Sequence, residues 1–166
     1  MPISAAIAVN VNVKSTSQVG MGNLVSDIAR GGSRDIVDGV GAGAATKVFS
    51  SLRTLAASAT ENLDLAGALT DPSNDAVVFT GIKAIYVKAA EANVNDVIIG
   101  GHATAAFVGP FGAAANTIAV APGETFFISK FNAAGWPVTA TTADMIKVLN
   151  SGAGTAVNYE VVIVGI

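Results

Sequence analysis

A period of two dominates the order of apolar and polar residues along this chain. In the N-terminal segment IAVNVNVK, apolar side chains recur at every second position, namely Ile7, Val9, Val11 and Val13. Successive side chains of a strand point to opposite faces, so this alternation predicts a strand with one buried face. We expect residues 1–14 to pair as a β-strand with a sheet edge of the same chain or of a neighbouring subunit.

The next segment, residues 15–45, is rich in glycine and shows no sustained period. Leu24, Val25 and Ile28 share one side of a helical turn, which predicts a short helix over residues 23–29. Closely spaced glycines follow, at positions 31, 32, 39, 41 and 43. We interpret the segment as an irregular, partly mobile linker between the N-terminal strand and the main domain.

From Thr46 onwards, short apolar runs and turn signals follow one another at the spacing of an all-β domain. The first run also fits a helical stripe, but its Ser and Thr residues and its β context favour a strand. The third is apolar on both faces, which predicts a central strand or one at a subunit contact. The strand candidates are, in order, TKVFSSLRTLA, ENLDLAG, AVVFTGIKAIYVKAA, DVIIGG, AAFVGPF, NTIAVAP, ETFFISK, WPVTAT, MIKVLNS and AVNYEVVIVG.

This succession of short strands with Gly and Pro turns predicts an all-β fold. The architecture that we expect is a jelly-roll-like β-sandwich of two sheets, preceded by an extended N-terminal arm. With 166 residues, the chain is long enough to bury a core in such a domain. We therefore divide it into an arm with its Gly-rich linker, residues 1–45, and a β-sandwich domain, residues 46–166.

The chain carries little charge. Charged residues make up 13% and hydrophobic residues 51%, whereas a typical domain has about 25% charged residues. Burial in an assembly would remove such a surface from water. No apolar run reaches the roughly 20 residues that cross a bilayer. The N-terminus also lacks the pattern of a signal peptide, so we expect no membrane partner.

The scattered positions of the basic residues and the absence of cysteine exclude further classes of function. The net charge is −3, and the nine Lys and Arg residues are scattered rather than gathered into a stripe. Proteins that bind nucleic acid neutralise its phosphates with a continuous stripe of Lys and Arg side chains, so we expect no direct binding of nucleic acid. The chain has no cysteine, which excludes disulfides and thiolate chemistry.

Few residues offer catalytic chemistry. His102 in GGHAT is the single histidine, and no carboxylate stands near it at motif spacing, so we interpret it as an exposed loop residue. GVGAGA lacks the flanking elements of a nucleotide-binding loop and fits a flexible linker. The acidic pair in DPSND is typical of a turn that is closed by side-chain bonds to backbone amides. We therefore expect no enzyme activity, no catalytic residue, no cofactor and no metal site.

Trp136 opens a strand candidate and is followed by Pro137. Proline cannot donate a hydrogen bond to a neighbouring strand, so it marks an edge or the start of a strand. A single tryptophan at this place fits a lid over the core. The alternative is an exposed anchor for a partner or a sugar, because aromatic rings offer a large contact area with one polar group.

Several stretches resemble one group of viral proteins. They are RTLAASATENLDLAGALTD, IKAIYVKAA, FVGPFG, APGETFFISK and the C-terminal GWPVTATTADMIKVLNSGAGTAVNYEVVIVGI. Together they are similar to the head decoration, or cement, proteins of tailed bacteriophages, which are compact β domains on the outside of the capsid shell. The resemblance covers roughly the last two thirds of the chain. Pro137 departs from it, since a polar or β-branched residue is expected after the tryptophan.

The resemblance implies a non-catalytic virion structural protein, made in the host cytoplasm, that binds and stabilises the outer surface of the capsid. Its partners would be the major capsid protein and further copies of itself, with a trimer as the favoured assembly and a dimer as the alternative. The expected assembly interface comprises Ile7, Val9, Val11, Val13, Trp136 and Tyr159. A glycan- or receptor-binding sandwich on a fibre or capsid is the alternative function.

Overall fold

The computed structural model of this protein describes residues 3–67, 69–71 and 73–166, so the first two residues of the predicted arm lie outside it. The described residues form an all-β fold, and none of them belongs to a helix that is long and apolar enough to cross a membrane. The strands are Ala5–Val19 (β1), Gly22–Asp38 (β2), Ala44–Ala45 (β3), Lys47–Leu55 (β4), Thr60–Asp64 (β5), Leu69–Thr70 (β6), Ala76–Val77 (β7), Gly81–Ala89 (β8), Val97–Gly100 (β9), Thr117–Val120 (β10), Thr125–Ser129 (β11), Trp136–Pro137 (β12), Met145–Asn150 (β13) and Val157–Gly165 (β14).

Two antiparallel sheets make up the main domain. The first, which we call the arm-side sheet, has the order β11-β8-β14-β4, with the short β12 also paired to β8. The second, the far sheet, has the order β10-β9-β13-β5. The pairs are nested, because β4 pairs with β14, β5 with β13, β8 with β11 and β9 with β10. The first and last strands of the domain are therefore neighbours in one sheet.

The main core lies between these two sheets and confirms the predicted sandwich. Alternate residues of each strand point inwards, as the period of two requires. From the arm-side sheet Ile85 and Ile163 meet Ile99 and Val148 of the far sheet, and all four are almost completely buried. Strand β8 lies between β11 and β14, which explains why its sequence is apolar on both faces.

Two strand predictions need adjustment. The run AVVFTGIKAIYVKAA is divided into β7 and β8, with Phe79 buried in the core between them. AAFVGPF is not a strand, since Ala106 makes only an isolated bridge to Met145. The first run of the domain is a strand, as predicted, because its residues alternate between the core and solvent along β4.

The largest correction concerns residues 15–45, where the predicted helix and irregular linker are wrong. Residues 22–38 form β2, which pairs with β1 over fifteen residues, from Ala5↔Ile36 to Val19↔Gly22. The N-terminal strand therefore pairs with the segment that follows it rather than with an edge of the sandwich. Leu24, Val25 and Ile28 fit a helical turn only locally, and cross-strand pairing overrides that preference.

Candidate assembly surface

The hairpin of β1 and β2, which we call the arm, is the most exposed part of the described chain. A two-residue turn, Gly20-Met21, joins its strands. Gly20 has a φ of 59°, and the first central position of such a turn favours glycine when the turn is of type II′. The turn fixes the register, so that each residue of β1 has a defined partner on β2.

The register sorts the side chains of the arm onto two different faces. Residues that are directly opposite in an antiparallel pair share a face. Val9, Val11 and Val13 are opposite Gly32, Arg30 and Ile28, and Leu24 lies on this face nearer the tip. The other face carries mainly polar residues, including Asn10, Asn12, Lys14, Asp27, Gln18 and Asn23. The arm is therefore an amphipathic ribbon.

The apolar side of this ribbon is uncovered. Val9, Val11, Val13, Leu24 and Ile28, which we call the distal apolar face, keep between 47% and 65% of their surface exposed. A lone two-stranded hairpin is at best marginally stable in water, because it has no second layer against which to bury such a face. Contiguous exposed apolar surface of this kind typically marks a site of protein–protein contact.

The base of the arm, in contrast, is packed against the outer face of the arm-side sheet. Ile36 is 1% exposed and joins Ala45, Ala84 and Val164 in a second, smaller core, with Ile7 packed at its border. This core lies on the opposite side of the sheet from the main core. The short β3 also pairs in parallel with the end of β2, so the arm is anchored at one end only.

Lys83 fixes the loop that follows the arm. The register between β8 and β14 skips this residue, since Val164 is opposite Ala84 and Gly165 is opposite Ile82. Such a bulge redirects a side chain. The Lys83 ammonium is fully buried and donates hydrogen bonds to the carbonyls of Gly41 and Ala44, both at 2.6 Å, and of Val40 at 3.4 Å.

Burial lowers the pKa of Lys83, because the charged form loses solvation. Backbone carbonyls, rather than a carboxylate, satisfy the charged group. The segment GVGAGA was expected to be a flexible linker, but its carbonyls are the acceptors of this buried amine. It is therefore an ordered loop that joins the arm to the sandwich.

An apolar groove of about 630 Å³ lies where the arm meets the sheet. Residues 5–10 of β1 form one wall, and Tyr86, Phe127 and Val162 contribute to the other. On its neighbouring side, the guanidinium of Arg34 lies 5.2 Å from the centre of the Phe131 ring, which is within cation–π distance. The apolar surface of the distal apolar face therefore continues through this groove onto the sandwich.

The remaining outer surface of the arm-side sheet is more polar. Leu52 of β4 is 79% exposed there, and a depression beside it is lined by Lys88, Glu124 and Glu160, among other residues. Lys88 and Glu160 are opposite each other on neighbouring strands. Carboxylates outnumber free cations in this region, because Arg53, which also lines it, is already paired with Glu61.

The structure separates the predicted interface residues into different settings. Ile7 is half-buried at the base of the arm, whereas Val9, Val11 and Val13 are exposed. Their common face was predicted correctly, but the chain itself covers only the Ile7 end of it. Trp136 is half-buried and packs against the main core, which is the first of the two expectations for it. The ammonium of Lys130 lies 5.9 Å from the centre of its ring.

Tyr159 is not at the surface, contrary to the prediction. It is 1% exposed, because it lies on the same side of β14 as Val161 and Ile163, and this side faces the core. Its hydroxyl donates a 2.7 Å hydrogen bond to Oε1 of Glu61, whose Oε2 accepts from Nε of Arg53, also at 2.7 Å. Burial, followed by the hydrogen bond to Glu61, raises the pKa of the Tyr159 phenol. The residue is a polar part of the core.

The remaining polar candidates have structural partners in the backbone. Nδ1 of His102 accepts a hydrogen bond from the amide of Ala105 at 3.1 Å, and the residue is half-buried rather than exposed. Oδ1 of Asp71 accepts from the amides of Ser73 and Asp75, which closes the predicted turn. Within the described ranges, no group of three or more His, Asp or Glu side chains is placed to hold a metal ion.

Sequence reasoning missed the second half of the arm. The one available signal was the turn, since Val19-Gly20-Met21-Gly22 is a short Gly-containing connection, but the apolar residues that follow it do not alternate. It was obscured because Gly31 and Gly32 suggested a linker. The buried role of Lys83 has no comparable signal, because a bulge depends on the register of two distant strands.

Comparison with known proteins adds no relative to this description. The chain matches no protein-family model, and neither a search of curated proteins nor one of solved structures finds a match. The resemblance to decoration proteins therefore stays a prediction that is based on the quoted stretches.

Proposed function

We propose that this protein is a non-catalytic structural component of a tailed-phage virion that decorates the outside of the capsid. The observation that carries the proposal is the distal apolar face, which the chain leaves exposed on an anchored, protruding arm. A protein that assembles with copies of itself and with a shell would bury this face. Its partners would be the major capsid protein and further copies of the chain.

The topology of the main domain supports the same proposal. Nested pairing of the first strand with the last is what results when one long hairpin is rolled into two sheets, and we interpret it as a jelly roll. Jelly rolls are common in viral capsid proteins and also in lectins. The low charge of the chain is compatible with a surface that is largely covered in an assembly.

The alternative, a glycan- or receptor-binding module, receives less support from the side chains. Trp136 is half-buried in the core border and has Lys130 near its ring, so it offers less free ring surface for a sugar. Nδ1 of His102 is already an acceptor for backbone amides. Neither residue is arranged as an exposed binding site.

The test is addition of the purified protein to capsids of its phage that lack it, followed by a count of bound copies. We expect saturable binding in a fixed ratio to the major capsid protein, and greater resistance of the shells to heat. Val13→Lys, on the distal apolar face, should reduce binding. Asn12→Lys is the matched control, because it adds the same charge to the adjacent residue on the opposite face. Absence of binding by the unmodified protein would refute the proposal.

A further inference from the structure

The arm and the arm-side sheet have matching uncovered surfaces. At the base, Ile7 and Ile36 of the arm already pack over Ala84 and Val164 of the sheet. The same side of the arm continues as the distal apolar face, and the same side of the sheet continues into the groove that contains Tyr86. Within one chain, the apolar side of the arm therefore already packs against this sheet over a short distance.

The free part of the arm is long enough to reach another domain. Eleven residue pairs, from Val9↔Gly32 to Val19↔Gly22, lie beyond the packed base. At about 3.3 Å per residue this part measures roughly 36 Å, and a domain the size of the sandwich is about 35 Å across, as judged from the scaling of the radius of gyration. The arm therefore extends far enough to cross a neighbouring sandwich.

The charges of the two surfaces are complementary. Arg30 is the cation on the distal part of the apolar side, opposite Val11. The outer end of the arm-side sheet presents Glu124 and Glu160 around Lys88. Among the described residues, Arg53 and Glu61 make the ion pair within 4.0 Å, and neither Arg30 nor these two glutamates belongs to it.

We propose that the distal apolar face of each arm docks on the arm-side sheet of a second copy, with its edge in the apolar groove. The partner is another copy of this chain, and the inference rests on the proposed function only in treating the protein as an assembly component. Docking buries Val11 and Val13 against the region around Tyr86 and Phe127, and it brings Arg30 towards the acidic end of the sheet.

The contact area of a single docked arm is too small for a stable interface, so each copy must both donate an arm and receive one. Two strands spaced about 4.8 Å apart and about 36 Å long present roughly 350 Å² on one face, so one docked arm buries about 700 Å² in total. A stable, specific interface buries about 1,200–2,000 Å². One arm is therefore insufficient, whereas a closed ring or a reciprocal dimer gives every copy one donated and one received arm.

The absence of cysteine from the sequence permits a clean cross-linking test. Val11→Cys places one thiol on the distal apolar face, and Thr125→Cys places one on the exposed outer side of β11, which borders the groove. The two single-cysteine proteins are mixed in solution without capsids and treated with a short thiol cross-linker. We expect a mixed cross-linked dimer that contains one copy of each variant.

Asn12→Cys replaces Val11→Cys in the control, since it lies on the polar face of the same strand. Val13→Lys, added to the Val11→Cys protein whose arm is donated, should abolish the mixed product and shift sedimentation of that protein towards the monomer. Cross-links of Val11→Cys to itself, without the mixed product, would replace the proposed contact by arm-to-arm packing. A monomer that gives no mixed product but still saturates capsids would overturn this inference and leave the proposed function intact.

Discussion

The sandwich and the arm contain the same kind of alternating apolar strand, yet they differ in what covers the apolar face. Ile163 of β14 is completely buried between the two sheets, whereas Ile28 of β2 keeps 47% of its surface exposed. Both occupy the apolar side of a regular antiparallel ladder. The comparison shows that alternation identifies a face to be buried, while the covering layer determines whether one chain buries it alone.

The strongest test of this contrast is the same substitution in both regions. Ile163→Ala should lower the free energy of unfolding by about 2–5 kcal/mol, because it removes a side chain from a closed core. Ile28→Ala should change the stability of the unassembled protein by less than about 0.5 kcal/mol. Chemical denaturation of both variants measures the difference, and equal losses would contradict the description of the arm as uncovered.

Tyr159→Phe tests the polar part of the sandwich core. The substitution removes a hydrogen bond to a charged carboxylate, so we expect a loss of about 1.5–3 kcal/mol at neutral pH. The folded state raises the pKa of this phenol. Above about pH 10, where an unfolded tyrosine loses its proton, the stability of the unmodified protein should therefore fall as the pH rises.

The phenylalanine variant should lack that part of the alkaline loss of stability. Unfolding curves at several pH values between neutral and strongly alkaline provide the measurement. If both proteins lose the same stability over this range, the buried phenol is not the group responsible.

Lys83→Met tests the junction between the two regions. Methionine retains most of the aliphatic stem but leaves the carbonyls of Gly41 and Ala44 without their donor, at a cost of about 1–3 kcal/mol. Amide exchange should accelerate at Val37 and Gly39, whose backbone bonds cross the same loop. Lys88→Met, at an exposed position of the same strand, is the control and should leave both quantities nearly unchanged.

The smallest effect is expected at the tip of the arm. Gly20→Ala places a side chain at a φ of 59°, which costs about 1–2 kcal/mol of arm stability. The thermal midpoint of the sandwich should not change, whereas amide exchange near the turn should accelerate. Gly32→Ala is the matched control within the arm, because an added Cβ there meets no heavy atom within 4 Å.

Local patterns were sufficient to predict much of the sandwich. Strands β4, β8 and β14 follow from their alternation, and the central position of β8 follows from its two apolar faces. The alternation in AVNYEVVIVG also places Tyr159 on the same side of the strand as Val161 and Ile163, which is the side that the core buries. What short windows could not provide was the pairing of distant segments, which determines the nested order of the sheets.

Only one of the two strands of the arm could be predicted from the sequence. The apolar face of β1 was recognised, because four residues alternate without interruption. Its partner strand was not, because Leu24 and Val25 are adjacent, as they would be in a helix, and glycines interrupt the rest. The burial of Lys83 follows from a bulge whose position depends on the register of β8 and β14, and no residue pattern near Lys83 predicts it.

Anchoring the arm at one end also determines how it would bear mechanical load. A pull on the turn at Gly20 passes along both strands to the base, where β2 meets β3 in a parallel ladder. The hydrogen bonds of that ladder lie across the direction of the pull, so they are loaded together in shear rather than opened one after another. The two residue pairs of this ladder, together with Ile36 in the smaller core, are therefore the contacts that hold the arm against a pull along its length.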